Sequence, residues 1–220
     1  MKKMDAIKIN KYIDHTNLKP DATKADIERL CAEAKEYNFA SVCVNPCYVS
    51  LVEQVLRDTQ AKICTVIGFP LGATTTEVKN MEATLAYAEG ADEFDMVINV
   101  GALKDGRTDY ILRDISGVMT AAKGRTVKLI IETGLLTKKE KILACQLATK
   151  AGVDFVKTCT GMTRGHATVA DILLIKENVD EEMEIKASGG IRTYEQALAL
   201  IEAGATRIGT SSGIAIAEGR

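Results

Sequence analysis

The chain has 220 residues, 46% of them hydrophobic, and a formal net charge of -2. That length accommodates one large α/β domain or two small ones with a substantial core, and a nearly balanced charge without long runs of one sign excludes an electrostatic footprint for nucleic acid or a membrane surface. No apolar run approaches the ~20 residues of a membrane helix, and Met1 to Asn10 alternates lysines with isolated apolar residues, unlike a secretory leader.

Short β-rich runs alternate with longer segments of helical period. The run Lys11 to Asp14 precedes a helix over Lys24 to Tyr37, in which Ile27, Leu30, Cys31 and Ala34 follow the 3, 4 spacing of an amphipathic face. Then come Ala40 to Val44 with a helix over Pro46 to Leu56, Ile63 to Ile67 with Thr75 to Glu89, and Glu93 to Val97 with Tyr110 to Ala122. Val127 to Ile131 precedes Lys138 to Ala151, Phe155 to Lys157 precedes Thr168 to Asn178, and Glu184 to Ala187 precedes Thr193 to Ala203. Arg207 to Thr210 leads into a short terminal helix after Ser212. Gly90, Gly152 and Gly204 stand where helices end, directly before strands. Eight such units without a Pro-rich or Gly/Ser-rich linker predict one (β/α)8 barrel domain over residues 1–220. The rival open doubly wound sheet calls for a glycine-rich loop after the first strand, and Asp14-His15-Thr16-Asn17 has no glycine.

Period-two alternation then assigns faces. With Phe94, Met96 and Ile98 toward the helices, Glu93 and Asp95 point into the barrel; by the same logic Lys128, Glu132, Lys157 and Lys186 point inward. Barrel interiors are normally filled by Val, Ile and Leu, so these charges point to chemistry. Lys157 and Lys186 end neighbouring strands at the C-terminal face. One ammonium lowers the proton affinity of the other, leaving a nucleophilic amine beside a persistent cation, and such an amine forms a Schiff base with a carbonyl. Asp95 is the candidate proton-transfer group. Lys128 and Glu132 read as structural, with an internal ion pair to Glu93.

Thr160-Gly161, Ser188-Gly189-Gly190 and Gly209-Thr210-Ser211-Ser212 follow the last three strands. Glycines let backbone amides approach a ligand and hydroxyls donate, so these loops read as a phosphate site, with the positive end of the terminal helix beside it. The six cysteines are scattered and read as reduced thiols; Cys43 and Cys47 are a poor zinc signal, and Cys47 reads as a packed, inert thiol. His15 reads as a hydrogen-bonded structural residue and His166 as a loop residue, with no partner at metal-ligand spacing. The expectation is a cytoplasmic protein without metal or cofactor.

The segments Tyr12-Ile13-Asp14-His15-Thr16, Ser41-Val42-Cys43-Val44-Asn45-Pro46, Thr65-Val66-Ile67-Gly68-Phe69-Pro70-Leu71-Gly72, Glu93-Phe94-Asp95-Met96-Val97, Phe155-Val156-Lys157-Thr158, Lys186-Ala187-Ser188-Gly189-Gly190 and Arg207-Ile208-Gly209-Thr210-Ser211-Ser212 together resemble the deoxyribose-phosphate aldolase family. The resemblance implies a metal-independent class I aldolase on a (β/α)8 barrel, interconverting 2-deoxy-D-ribose 5-phosphate with acetaldehyde and D-glyceraldehyde 3-phosphate. It makes Lys157 the Schiff-base lysine, Lys186 the lysine that tunes it and Asp95 the proton-transfer partner. It places phosphate at Gly161, Gly189, Gly190, Ser211 and Ser212, and Thr16 near the substrate hydroxyls. Its partners would be small sugar phosphates and aldehydes, neither nucleic acid nor membrane, with a homodimer or homotetramer left open. Cys159 stands where the family usually has serine, Met162 where it often has lysine or an aromatic residue, Asn17 where leucine is more usual, and the Arg164-Gly165-His166 loop differs. Some members carry a C-terminal tyrosine that assists proton transfer; here the sequence ends at Arg220, so the shuttle is expected to use Asp95, water or another group. Two rival readings keep the barrel: an imine-forming enzyme for another phosphorylated sugar or keto acid, and a sugar-phosphate sensor without turnover.

Overall fold

A computed structural model describes residues 9–220. The reading of Met1 to Asn10 as no leader lies, except for its last two residues, outside them. Eight parallel strands close into a barrel in sequential order: β1 (Ile13–Asn17), β2 (Ser41–Val44), β3 (Lys62–Ile67), β4 (Glu93–Val97), β5 (Thr126–Ile130), β6 (Phe155–Lys157), β7 (Glu184–Ser188) and β8 (Arg207–Thr210). β8 returns to β1 through the pairs Ile13↔Ile208, Asp14↔Gly209 and His15↔Thr210. The connecting helices are α1 (Lys24–Glu36), α2 (Val49–Leu56), α3 (Thr76–Ala88), α4 (Val100–Lys104), α5 (Thr108–Ala122), α6 (Lys138–Ala151), α7 (Val169–Lys176), α8 (Tyr194–Ala203) and α9 (Gly213–Ala217). This is the (β/α)8 barrel that the alternation predicts.

Threonine starts most of the long helices. Thr23, Thr137 and Thr193 each accept from the backbone N–H of the third helical residue, and Asp26, Glu140 and Gln196 reach back to the cap. Two otherwise orphaned donors are thereby satisfied at each start. At the other end of α6, Gly152 takes the left-handed conformation (φ 73°) that stops the helix and turns the chain into β6.

The main apolar core lies between barrel and helices: Phe94, Met96, Ile98, Val127, Leu129 and Ile131 all belong to it, on the outward face assigned from alternation. One charged pair is sunk in this layer. Lys79 on α3 donates to Asp114 on α5 at 2.5 Å and to the carbonyl of Val97 at 3.0 Å, both side chains being fully buried. It ties two neighbouring helices to the end of β4.

Three elements differ from the sequence reading. β1 starts at Ile13 behind a 3-10 turn (Ile9–Tyr12) and runs on to Asn17; the polar run Asp14 to Asn17 hides a strand whose inner face is built for charge. α4 is extra, a short helix started by Asn99, whose side chain accepts from Ala102 N–H at 2.9 Å. Cys47 is exposed rather than packed, because it sits on the outside of the 3-10 turn Pro46–Tyr48.

Candidate active site

The strand pairing sets Lys157 beside Lys186 and Asp95 beside Lys128, and the inward charges of these strands meet inside the barrel. Asp95 is the hub. Its Oδ2 accepts from Lys157 Nζ and from Lys186 Nζ, each at 2.7 Å, and its Oδ1 accepts from Lys128 Nζ at 2.8 Å. Lys186 also pairs closely with Asp14 Oδ2, and Lys128 with Glu93 Oε2 at 2.6 Å. Arg207 closes the network below, donating to Asp14 Oδ1 at 2.7 Å and to Glu93 Oε2 at 3.2 Å.

The cluster therefore holds four cations (Lys128, Lys157, Lys186, Arg207) against three carboxylates (Asp14, Glu93, Asp95). Burial alone raises a carboxyl's proton affinity, but the ammonium groups of Lys128, Lys157 and Lys186 outweigh it and hold Asp95 well below the usual carboxylate range. Burial likewise disfavours a charged Lys186, yet Asp14 and Asp95 outweigh burial and hold its ammonium well above the ordinary lysine value. Lys186 is thus a lasting cation. Lys157 has one carboxylate contact, whereas Lys186 and Lys128 each have at least two.

Lys157 is also the member that reaches the cavity at the C-terminal end of the barrel. That cavity has a volume of about 430 Å³; Lys157 lines it, and the other six members of the cluster do not. Thr16, Thr160, Gly161, Gly189, Gly190, Gly209 and Ser211 line it too, as does His15, whose Nε2 lies 2.7 Å from Glu33 Oε2. Ser212 does not line it, and its N–H is committed to Thr210 Oγ1 at 2.9 Å. Gly209 lacks a Cβ for a packing reason: a methyl group there would come within 2.2 Å of Ser188 Oγ and 3.0 Å of Lys186 Cε. Among the described residues, the backbone N–H groups of Gly161, Gly190 and Ser211 donate to no protein acceptor. Lys19, Arg29 and Arg192 stand around the same cavity with Asp26 and Glu33; Arg29 is paired with Asp26 and Glu33 with His15, so the cavity offers free amides and the charges of Lys19 and Arg192 to an anion.

Asp14 and Arg207 are members of the cluster that the sequence reading passed over, although alternation from Ile13 and Ile208 puts both on the inner face. Lys128 pairs with Glu93 as expected, but it equally grips Asp95. Glu132 does not join Glu93; it binds Thr160 instead, through N–H at 3.1 Å and Oγ1 at 2.6 Å. Cys43, Cys64 and Asp95 bring three potential metal-ligand atoms within 4.8 Å of one another. The charge of Asp95 is already answered there by three ammonium groups.

A model of the DeoC/LacD family of aldolases matches residues 8–219. This chain belongs to that family. Among its DeoC/LacD relatives, a deoxyribose-phosphate aldolase of Thermococcus gammatolerans is 61% identical over 220 residues, covering 98% of each chain. One of Streptococcus gordonii is 59% identical over 213 residues, covering 97% of each. Among solved structures, a tetrameric deoxyribose phosphate aldolase of Aeropyrum pernix superimposes with a TM-score of 0.90 at 34% identity, covering 96% of this chain and 89% of its own.

Proposed function

We propose that this chain is a class I aldolase that reversibly cleaves 2-deoxy-D-ribose 5-phosphate to acetaldehyde and D-glyceraldehyde 3-phosphate, acting as one barrel domain without metal or cofactor. The observation that carries the reading is the position of Lys157: of seven clustered charges, it is the one that reaches the cavity. Among the three lysines Lys157 has the fewest carboxylate partners, one against two or more for Lys128 and Lys186, so it is the amine least committed to an ion pair and placed to act as nucleophile.

The neutral Lys157 amine attacks the C1 aldehyde of the open-chain sugar, and the carbinolamine loses water to give a protonated imine. A base takes the proton of the C3 hydroxyl, the C2–C3 bond breaks, and its electron pair moves into the C1–C2 enamine, releasing glyceraldehyde 3-phosphate. Protonation at C2 and addition of water then release acetaldehyde and restore the amine. Asp95, 2.7 Å from Lys157 Nζ, is placed to exchange protons with that nitrogen. Lys186, held as an ammonium between Asp14 and Asp95, supplies the fixed positive charge that disfavours a second one on Lys157. Thr16 lies at the sugar-hydroxyl end, where its Oγ1 donates to the Asp14 carbonyl at 3.0 Å. The turns at Thr160-Gly161, Gly189-Gly190 and Gly209 to Ser211 take the phosphate, with free amides at Gly161, Gly190 and Ser211. The family and the names of its relatives support the choice of substrate.

A catabolic role in the cytoplasm belongs to the same proposal; among the described residues no helix is long and apolar enough to cross a membrane. So does assembly into two or four copies, supported by the exposed apolar stripe Val78, Met81 and Leu85 on α3 and by the tetramer named for Aeropyrum pernix. The test of the chemistry is borohydride reduction in the presence of acetaldehyde followed by peptide mapping. N-ethylation of Lys157 is expected, and label confined to another lysine defeats the assignment. Cleavage rates over a panel of sugar phosphates test the substrate.

A further inference from the structure

Glu132 is a buried carboxylate in a conformation that side chains rarely adopt. It follows β5 with φ 57° and ψ 63°, in the left-handed region where a residue other than glycine is held only by its surroundings. That backbone turn directs its side chain sideways onto the loop after β6, where Oε2 accepts from both Thr160 N–H and Thr160 Oγ1. The hydroxyl then accepts in its turn from Met162 N–H at 3.1 Å. Glu132 thus commits the amides of residues 160 and 162, one directly and one through the hydroxyl. The amide of Gly161, between them, keeps no protein acceptor among the described residues. The turn so fixed lies on the second glycine loop. A Cβ on Gly161 would come 3.8 Å from Gly189 Cα, and one on Gly189 would come 3.2 Å from Cys159 Cβ.

We infer that Glu132 is a positioning residue for the phosphate end of the cavity: through Thr160 it holds the 160–162 turn so that the Gly161 N–H faces the anion. The inference rests on the phosphate site proposed above. Glu132 itself does not line the cavity, and it is 1% exposed. A carboxylate behind an anion site is tolerable because both Thr160 donors point at it.

The experiment compares Glu132→Gln, Glu132→Ala and Thr160→Val with the parent enzyme. The readouts are steady-state cleavage of 2-deoxyribose 5-phosphate and of unphosphorylated 2-deoxyribose, and binding of inorganic phosphate followed by calorimetry. Glu132→Ala is expected to raise KM for the phosphorylated sugar and Kd for phosphate by about tenfold, the effect of losing a charge-assisted anchor. Turnover of the unphosphorylated sugar should hold, and Glu132→Gln, which keeps one acceptor oxygen, should restore most of the affinity. Thr160→Val leaves Glu132 intact and removes only the hydroxyl; it should weaken phosphate binding as well, and the double variant should lose less than the two single losses combined. Equal loss of activity on both sugars with an unchanged phosphate Kd would overturn the inference. If Lys157 failed to trap acetaldehyde the proposed chemistry would fall, while the phosphate titration would still judge Glu132.

Discussion

Replacing Lys186 by leucine tests the division of labour between the two strand lysines. The variant removes one cation and leaves three against three carboxylates, so the excess positive charge proposed to favour a neutral amine at this site disappears. Lys157 Nζ and Lys186 Nζ each lie 2.7 Å from the same oxygen of Asp95. They are therefore within about 5.5 Å of each other, and at an effective dielectric of about 20 their repulsion is about 3 kcal/mol, equivalent to about two pH units. Asp14 and Asp95 remain behind and act in the same direction, favouring a proton on Lys157. Neither is orphaned: Asp14 keeps Arg207 at 2.7 Å and Lys128 at 4.0 Å, and Asp95 keeps Lys128 at 2.8 Å. After an allowance for relaxation, the midpoint of imine formation should rise by about one to two pH units. The assay is rapid borohydride trapping with acetaldehyde across a pH series, with N-ethyl-Lys157 quantified by mass spectrometry. A variant that still traps at Lys157 with an unmoved midpoint refutes the charge-balance reasoning.

Asp95→Asn leaves three lysines around a neutral amide; a loss of about 3–5 kcal/mol in urea unfolding is expected, the scale for breaking a buried ion network, together with loss of measurable aldol cleavage. The same network sets the limits of stability with pH. Asp14 and Asp95 have depressed folded-state values, so their contribution is complete above the unfolded carboxylate value of about 4 and is lost as pH falls through the folded ones. Lys186 is raised, so its contribution is complete below about pH 10 and is lost as pH rises through its folded value; thermal unfolding across pH should show a plateau between those limits. Gly209→Ala drives a methyl group to within 2.2 Å of Ser188 Oγ and 3.0 Å of Lys186 Cε, and kcat/KM should fall by about tenfold or more as Lys186 is displaced. Lys79→Met should cost about 3–5 kcal/mol in chemical denaturation by stranding Asp114, with kcat unchanged because the pair sits outside the barrel wall.

The legible part of the site was the part that lies within regular strands flanked by apolar residues. Phe94 and Met96 bracket Asp95, and Val156 and Ile185 precede Lys157 and Lys186, so period two fixes which side chains face inward. Asp14 escaped because the polar stretch Asp14 to Asn17 disguised the inner face of β1 as a loop, shifting the strand toward Lys11. Arg207 opens β8 next to a glycine-rich run that drew attention to phosphate instead. Glu132 escaped for another reason. Alternation assigned it to the barrel interior, but the strand ends at Ile130, and a positive φ two residues later swings the carboxylate onto Thr160. No residue pattern announces a left-handed glutamate, because neighbouring loops hold it there.

The barrel interior is divided, and the division supports the proposal that Lys157 is the reactive amine. On the β2–β3 side Cys43, Cys64 and Val66 form a small apolar cluster with Leu18 and the half-buried Phe69. On the other side, β4 to β8 and β1 supply the charges. Asp95 lies at the boundary, where Cys64 Sγ donates to its Oδ1 at 3.2 Å while three ammonium groups surround it. An apolar wall cannot solvate an extra positive charge, so the imbalance within the cluster is felt at short range rather than being screened by water. The lower members, Lys128 and Arg207, are each locked between carboxylates. Lys157 is thereby left with a single carboxylate partner at the end of the cluster that meets the cavity, the place where the proposed chemistry needs its amine.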